Sequence, residues 1–235
     1  MKNNQKSEHR SDNSLLEVHS IFKTIQGEGP FSGTPCVFIR LAGCNLQCPN
    51  CDTDYTTHRT SLKPEVIVKI VQDWQKKGLV VITGGEPFRQ NLATLLRLLV
   101  EEDFYVQVET NGSIVPTDRF WATNIFARHG CYIVCSPKTI KINERIEIEA
   151  CAYKYVLNHN DVNEDDGLPN AVLGFPVNSF KVARPRNDFI GLTYLQPEDS
   201  YDETENCKNL TAVIDSCLKF GHILNLQIHK IIGVE

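Results

Sequence analysis

Eight short apolar runs, near 17–25, 36–42, 79–83, 104–109, 131–135, 153–157, 190–195 and 223–228, recur along the chain, and several are almost continuously apolar. Runs of that kind suit strands covered on both faces. Helix-like segments at 64–77, 91–102, 117–128 and 203–220 lie between several of them. In the second, Leu92, Leu95, Leu96 and Leu99 form one helical stripe behind Asn91, a residue suited to cap a helix. Strand alternating with helix predicts an α/β fold with a largely parallel sheet, because a helical crossover returns the chain to the same end of the sheet each time. No repeat, low-complexity block or linker divides the chain, so residues 17–235 are expected to form a single domain; 158–186 is the stretch with the least pattern.

Polar motifs follow the predicted strands. Gly84-Gly85-Glu86-Pro87, Glu109-Thr110-Asn111-Gly112, Ser136-Pro137-Lys138, Gln196-Pro197-Glu198-Asp199 and Gln227-Ile228-His229-Lys230 each stand at a strand's C-terminal end. In a parallel β/α barrel those ends converge on the face where sites are built. Alone, each motif has an ordinary explanation. Gly84-Gly85 makes a tight turn or lets a ligand approach the backbone, with Glu86 accepting from an amino group; Asn111-Gly112 is a common turn; Lys138 is a solvated lysine or the partner of a carboxylate.

The cysteines add chemistry. Cys44, Cys48 and Cys51 stand in one short stretch, able to hold three corners of a four-iron cluster and leave the fourth iron without a protein ligand. S-adenosylmethionine, whose amino and carboxylate groups can chelate an open iron, is the candidate for that place. The alternative is a zinc site completed by His58, although Asp52-Thr53-Asp54-Tyr55 supplies no second Cys-x-x-Cys knuckle. Nine cysteines, an odd number without regular pairing, argue against a disulfide framework and for a cytoplasmic protein. Cys36, Cys131 and Cys135 fall in apolar runs and are expected to pack as small buried hydrophobes.

Arg40 lies inside a run that should bury it, and a buried guanidinium requires an anionic partner. An internal acidic residue and a substrate carboxylate both satisfy that requirement. Just before this run, Gln26-Gly27-Glu28-Gly29-Pro30 is either a plain turn or, through Gln26 and Glu28, a reader of a heterocycle's donor edge. The balance of 24 Lys+Arg against 29 Asp+Glu, with no basic run, excludes a broad nucleic-acid surface but leaves room for one local basic pocket. No apolar stretch reaches membrane length, and the polar start, residues 1–16, reads as a disordered tail without the apolar core of a signal peptide.

Cys44-x3-Cys48-x2-Cys51 with Gly84-Gly85-Glu86-Pro87 resembles the radical S-adenosylmethionine superfamily. The further set Phe22-x-Thr24-Ile25-Gln26-Gly27-Glu28-Gly29, Arg40-Leu41-Ala42-Gly43-Cys44-Asn45-Leu46, Cys51-Asp52-Thr53-Asp54, Glu109-Thr110-Asn111-Gly112, Ser136-Pro137-Lys138, Gln196-Pro197 and Gln227-x-His229-Lys230 is similar to the 7-carboxy-7-deazaguanine synthase family, from about Val18 to the end of the chain. The resemblance implies a partial, open parallel β/α barrel of the radical SAM type and a step toward 7-deazapurines such as queuosine, in which 6-carboxy-5,6,7,8-tetrahydropterin is contracted to 7-carboxy-7-deazaguanine with loss of ammonia. It implies one [4Fe-4S] cluster on Cys44, Cys48 and Cys51, with S-adenosylmethionine among Asn50, Cys51, Asp52, Gly85, Glu86, Gly112, Ser136, Pro137 and Lys138. The pterin would meet Ile25, Gln26, Gly27, Glu28, Arg40, Thr110 and His229, with Thr53 on a Mg2+ ion beside it. The family also sets the chain's terminal carboxylate, here that of Glu235, against the substrate, but it often ends in proline, whereas this chain ends Gly233-Val234-Glu235. A flavodoxin or ferredoxin as electron donor and a homodimer are implied with it. The rival assignments are another radical enzyme, such as a glycyl-radical activase, and a zinc-binding module.

Overall fold

The structure, a computed structural model, describes residues 14–115, 130–171 and 181–234. The helix expected at 117–128, nearly all of the N-terminal tail, Glu235 and part of the segment 158–186 lie outside the described residues. The elements run β1 (Leu16–Ile25), β2 (Pro35–Leu41), β3 (Thr60–Leu62), α1 (Pro64–Trp74), β4 (Gly78–Gly84), α2 (Ala93–Glu101), β5 (Phe104–Thr110), β6 (Cys131–Cys135), α3 (Glu144–Glu149), β7 (Ala150–Leu157), β8 (Leu192–Pro197), α4 (Glu203–Phe220), β9 (Ile223–Leu224) and α5 (Ile228–Ile232). Among the described residues the strands form one open sheet in the order β3-β1-β2-β4-β5-β6-β7-β8-β9. Every pairing from β2 to β9 is parallel, and β1 runs antiparallel to both β2 and β3.

Period-two alternation divides each strand between two environments. On the helix-covered face Val37, Ile39, Leu41, Val80, Ile82, Val106, Val108, Ile133, Tyr153, Tyr155 and Leu195 join Ile67 and Val71 of α1, Leu95, Leu96 and Leu99 of α2, Ile146 of α3 and Val213 of α4 in the main core. Burying each such side chain stabilises the fold by roughly 1.5–3 kcal/mol before chain entropy is set against it. On the inner face Cys36, Leu79 and Val81 make a separate apolar cluster near the strand starts. Elsewhere on this face the inner residues are polar: Arg40 on β2, Gln107 and Glu109 on β5, Lys154 on β7 and Gln196 on β8.

Several boundaries move from those the sequence suggests. The last apolar run yields only Ile223–Leu224 as strand, and Ile228–Ile232 becomes a short helix. The chain leaves the sheet because Asn225, almost wholly buried, turns its amide to Gln196 Oε1 (2.7 Å) and its carbonyl oxygen to the Gly29 N–H (2.8 Å). Ile190, expected to open a strand, is fully exposed, and β8 starts at Leu192. Helix α2 begins two residues after Asn91, whose side chain still accepts from the Ala93 N–H at 3.1 Å. Strand β3 and helix α3 are too short for a periodicity to show in the sequence.

Candidate active site

The cysteine loop leaves β2 at Ala42-Gly43 and is pinned where Gly43, at φ 88°, donates its N–H to Tyr55 O at 3.1 Å. Cys44 is buried, Cys48 half-buried and Cys51 exposed. Burial pushes all three thiols up, Cys44 to about 12, while the Lys138 ammonium opposes that rise at Cys48 and Cys51. The end of β4 presses directly on this loop. A Cβ on Gly85 would lie 2.1 Å from Gly43 O and 2.7 Å from Cys44 Cβ, and one on Gly84, at φ 133°, 2.1 Å from Leu41 O. Only glycine allows that approach.

Among the described residues no three His, Cys, Asp or Glu side chains are gathered as around one ion. His58 instead lies with its ring centroid 5.6 Å from that of His19. Three thiols on one loop, braced by glycine-only backbone contacts and faced by Lys138, fit an iron–sulfur cluster that keeps one iron for a non-protein ligand.

Around the loop the strand-end motifs interlock. Glu86 is fully buried, with Oε1 accepting from Thr110 Oγ1 (2.8 Å) and the Phe88 N–H (3.0 Å), and Oε2 from the Asn111 N–H (2.7 Å). Burial raises its carboxyl to about 7 against the pull of those donors. Asn111 donates to Asn45 Oδ1 at 3.0 Å and Asn45 to Ser113 Oγ at 2.8 Å, which ties β5 to the cysteine loop. Asn50 donates to Glu198 Oε1 (2.9 Å), and Lys138 to Ser136 Oγ (3.2 Å). Asp52 accepts from Thr53 Oγ1 at 3.1 Å and lies 3.8 Å from Lys230. In E86Q one carboxylate oxygen becomes an NH2 facing a donor. The apoprotein is therefore expected to lose about 1–3 kcal/mol, read as a melting temperature several degrees lower.

The second pole of the site joins the β1–β2 turn to the C-terminal segment. Gln26 is buried, accepts from the Glu28 N–H at 3.2 Å and donates to Glu109 Oε1 at 3.1 Å. Glu28 is ion-paired to Lys154 and accepts from Gln227 Nε2 at 2.6 Å. Burial alone would raise the Glu28 carboxyl, but the Lys154 ammonium and these donors hold it below the usual range. His229 turns the Nδ1 edge of its ring onto Gly27, where a Cβ would meet Nδ1 at 1.7 Å, and burial holds its imidazole below the ordinary value, which favours the neutral form.

Arg40 has its guanidinium carbon 5.2 Å from the Phe22 ring centroid and a buried Nε without a hydrogen-bond partner. It is half-buried, less enclosed than its sequence context implies, and no internal carboxylate pairs with it among the described residues.

The structure thus gathers the motifs on one end of the sheet: the cysteine loop, Gly85-Glu86, Thr110 to Gly112 and Ser136 to Lys138 on one side, Gln26 to Glu28 and His229 on the other. Pro137 is buried, Ile25 half-buried at the end of β1, and Thr53 half-exposed. Sequence reasoning missed Lys154 and gave Glu109 no role. The signal for Lys154 was the same as for Arg40: one charge in an otherwise apolar strand, Ala150–Leu157.

Residues 38–123 match the family model of the Radical SAM superfamily. The chain is 35% identical over 232 residues to a 7-carboxy-7-deazaguanine synthase of Rhodospirillum rubrum, covering 95% of this chain and 94% of that one. It is 36% identical over 235 residues to that of Rickettsia prowazekii, with 95% and 91% covered. The crystal structure of QueE from Escherichia coli superposes with a TM-score of 0.62 at 20% identity, over 90% of this chain and 93% of that one, a likeness of fold.

Proposed function

The chain belongs to the 7-carboxy-7-deazaguanine synthase family of radical SAM enzymes, and we propose that it contracts 6-carboxy-5,6,7,8-tetrahydropterin to 7-carboxy-7-deazaguanine with release of ammonia. One observation carries the choice of substrate: on an inner face that also holds Glu109 and Lys154, Arg40 offers a guanidinium with no anionic partner among the described residues and a buried, unbonded Nε. A planar fork of that kind takes a carboxylate in two parallel hydrogen bonds.

Cys44, Cys48 and Cys51 would hold the [4Fe-4S] cluster, and Asn50, Asp52, Gly85, Glu86, Gly112, Ser136, Pro137 and Lys138 surround the place for S-adenosylmethionine. When bound, the two supply a carbon-centred radical that takes a hydrogen atom from carbon. Arg40 fixes the substrate's carboxylate. Glu28, kept ionised by Lys154, accepts from the donor edge of the heterocycle, and Gln26 and the Gly27 backbone complete that contact. Thr110 is held by Glu86 beside Gly112, so its hydroxyl oxygen presents in one orientation. His229, its Nδ1 edge set on Gly27, stands beside these groups and is able to donate or accept a hydrogen bond. Thr53 Oγ1, which donates to Asp52, keeps lone pairs that would join a hydrated Mg2+ at the substrate. The pterin loses ammonia and nothing else, so the hydrogen removed is restored to the product and the ring contraction is redox-neutral.

A flavodoxin or ferredoxin donor, a homodimer, a cytoplasmic location and a contact of the Glu235 carboxylate with the substrate complete the reading. Residues 17–235 make up the radical SAM domain, with 1–16 as a polar extension. Among the described residues no helix is long and apolar enough to cross a membrane. Anaerobic protein with a reconstituted cluster, dithionite, S-adenosylmethionine, Mg2+ and the carboxytetrahydropterin is expected to release the deazaguanine acid, identified by mass. An intact cluster with no such product overturns the substrate assignment.

A further inference from the structure

We propose that Lys154 is a positioning residue of the substrate pocket: its ammonium holds the Glu28 and Glu109 carboxylates in one orientation, so that Glu28 meets the substrate's donor edge already placed. The proposal rests on the pterin reading above.

Lys154 stands in the middle of β7, between Tyr153 and Tyr155, which face the main core, so alternation sets it on the inner face. It is only 7% exposed. A lysine so buried persists as a cation only where anions surround it. Here Glu28 pairs with it directly and Glu109 Oε2 lies 3.7 Å away. The remaining bonds extend from these three. Glu28 Oε1 takes Gln227 Nε2, and Glu109 Oε1 takes both Gln26 (3.1 Å) and Gln107 (2.8 Å). One ammonium therefore joins the β1–β2 turn, β5 and the C-terminal segment to β7. Two buried carboxylates sharing this space would repel each other without it, and one would take up a proton or swing away. With it Glu28 is held anionic, and each carboxylate keeps acceptor positions that its protein donors do not use.

A brace serving the fold alone would affect stability and leave substrate affinity untouched. A positioning role predicts a division between binding and turnover. In K154M the affinity for 6-carboxypterin, a non-reacting analogue followed by its fluorescence, is expected to fall about a hundredfold, as on removing one partner of a desolvated charge pair. KM for the tetrahydropterin should rise in step while kcat changes less than about threefold, the mark of a lost ground-state contact. Iron content and S-adenosylmethionine binding should match wild type. K154R should recover most of the affinity, and E28Q/K154M should bind no more weakly than the poorer single variant, since the two side chains act as one unit. K154Q, which keeps a donor without the charge, repeats the measurement should K154M not fold. Wild-type affinity in K154M or K154Q, or an additive double variant, overturns the proposal alone. Wild-type protein that neither binds 6-carboxypterin nor turns over the tetrahydropterin overturns the substrate assignment and this proposal together.

Discussion

C48A is expected to fold and to have no measurable activity. Cys48 sits half-buried on a loop outside every hydrophobic cluster of the fold, so its thiol contributes little to packing. As one of the three thiols proposed to hold the cluster, however, it would have no substitute, because a four-iron cluster held by only two cysteines has neither the charge nor the geometry to persist. Anaerobically reconstituted C48A should contain well under four irons per chain and lack the brown absorption of wild type, while its far-ultraviolet circular dichroism is unchanged. Cys36 is the matching control. It is fully buried against Leu79 and Val81, so C36A should cost about 1 kcal/mol of stability and retain iron and activity. Full iron loading in C48A, or loss of iron in C36A, would remove the cluster from this loop. Wild-type protein purified with one zinc and no iron would do the same.

Arg40 gives the second large effect. R40M is expected to weaken substrate binding by about 2–4 kcal/mol, roughly 30- to 1,000-fold in kcat/KM, because the substrate carboxylate then enters a desolvated pocket without its counter-ion. R40K should restore only part of that, since a point charge does not reproduce a two-bond fork. The two readings of Arg40 separate on stability. Had the guanidinium closed an internal ion pair, removing it would leave a buried carboxylate alone and cost about 3–5 kcal/mol. The guanidinium is half-buried, stacked near Phe22 and bonded to no internal acid among the described residues, so R40M apoprotein should melt within a few degrees of wild type. Wild-type KM in R40M would reject the carboxylate contact and with it the strongest argument for this substrate over that of another radical enzyme.

Much of this was legible because it depends on local rules. Near-continuous apolar runs separated by helical stripes required a covered, mostly parallel sheet, and polar residues after each run had to fall at one end of it. Arg40 was conspicuous because a charge inside an apolar strand violates the pattern. Lys154 violated it in the same way and passed unnoticed, flanked by tyrosines in a strand that begins three residues earlier than its apolar run suggests. The departure of Asn225 from the sheet depends on a partner far along the chain, Gly29 lying 196 residues from Asn225.

The sequence by itself determined the chemistry of the site: three thiols at fixed spacing, glycines where backbone must approach backbone, and the order of strands and helices, all set by neighbouring residues. Only the tertiary structure decided which charges meet. That Lys154 faces Glu28 across 126 residues, that Glu86 spends its oxygens on the β5 turn, and that Arg40 Nε finds no partner among the described residues follow from strand register and burial. In a low-dielectric interior each charge must find a partner in space, and spacing along the chain carries no record of that search.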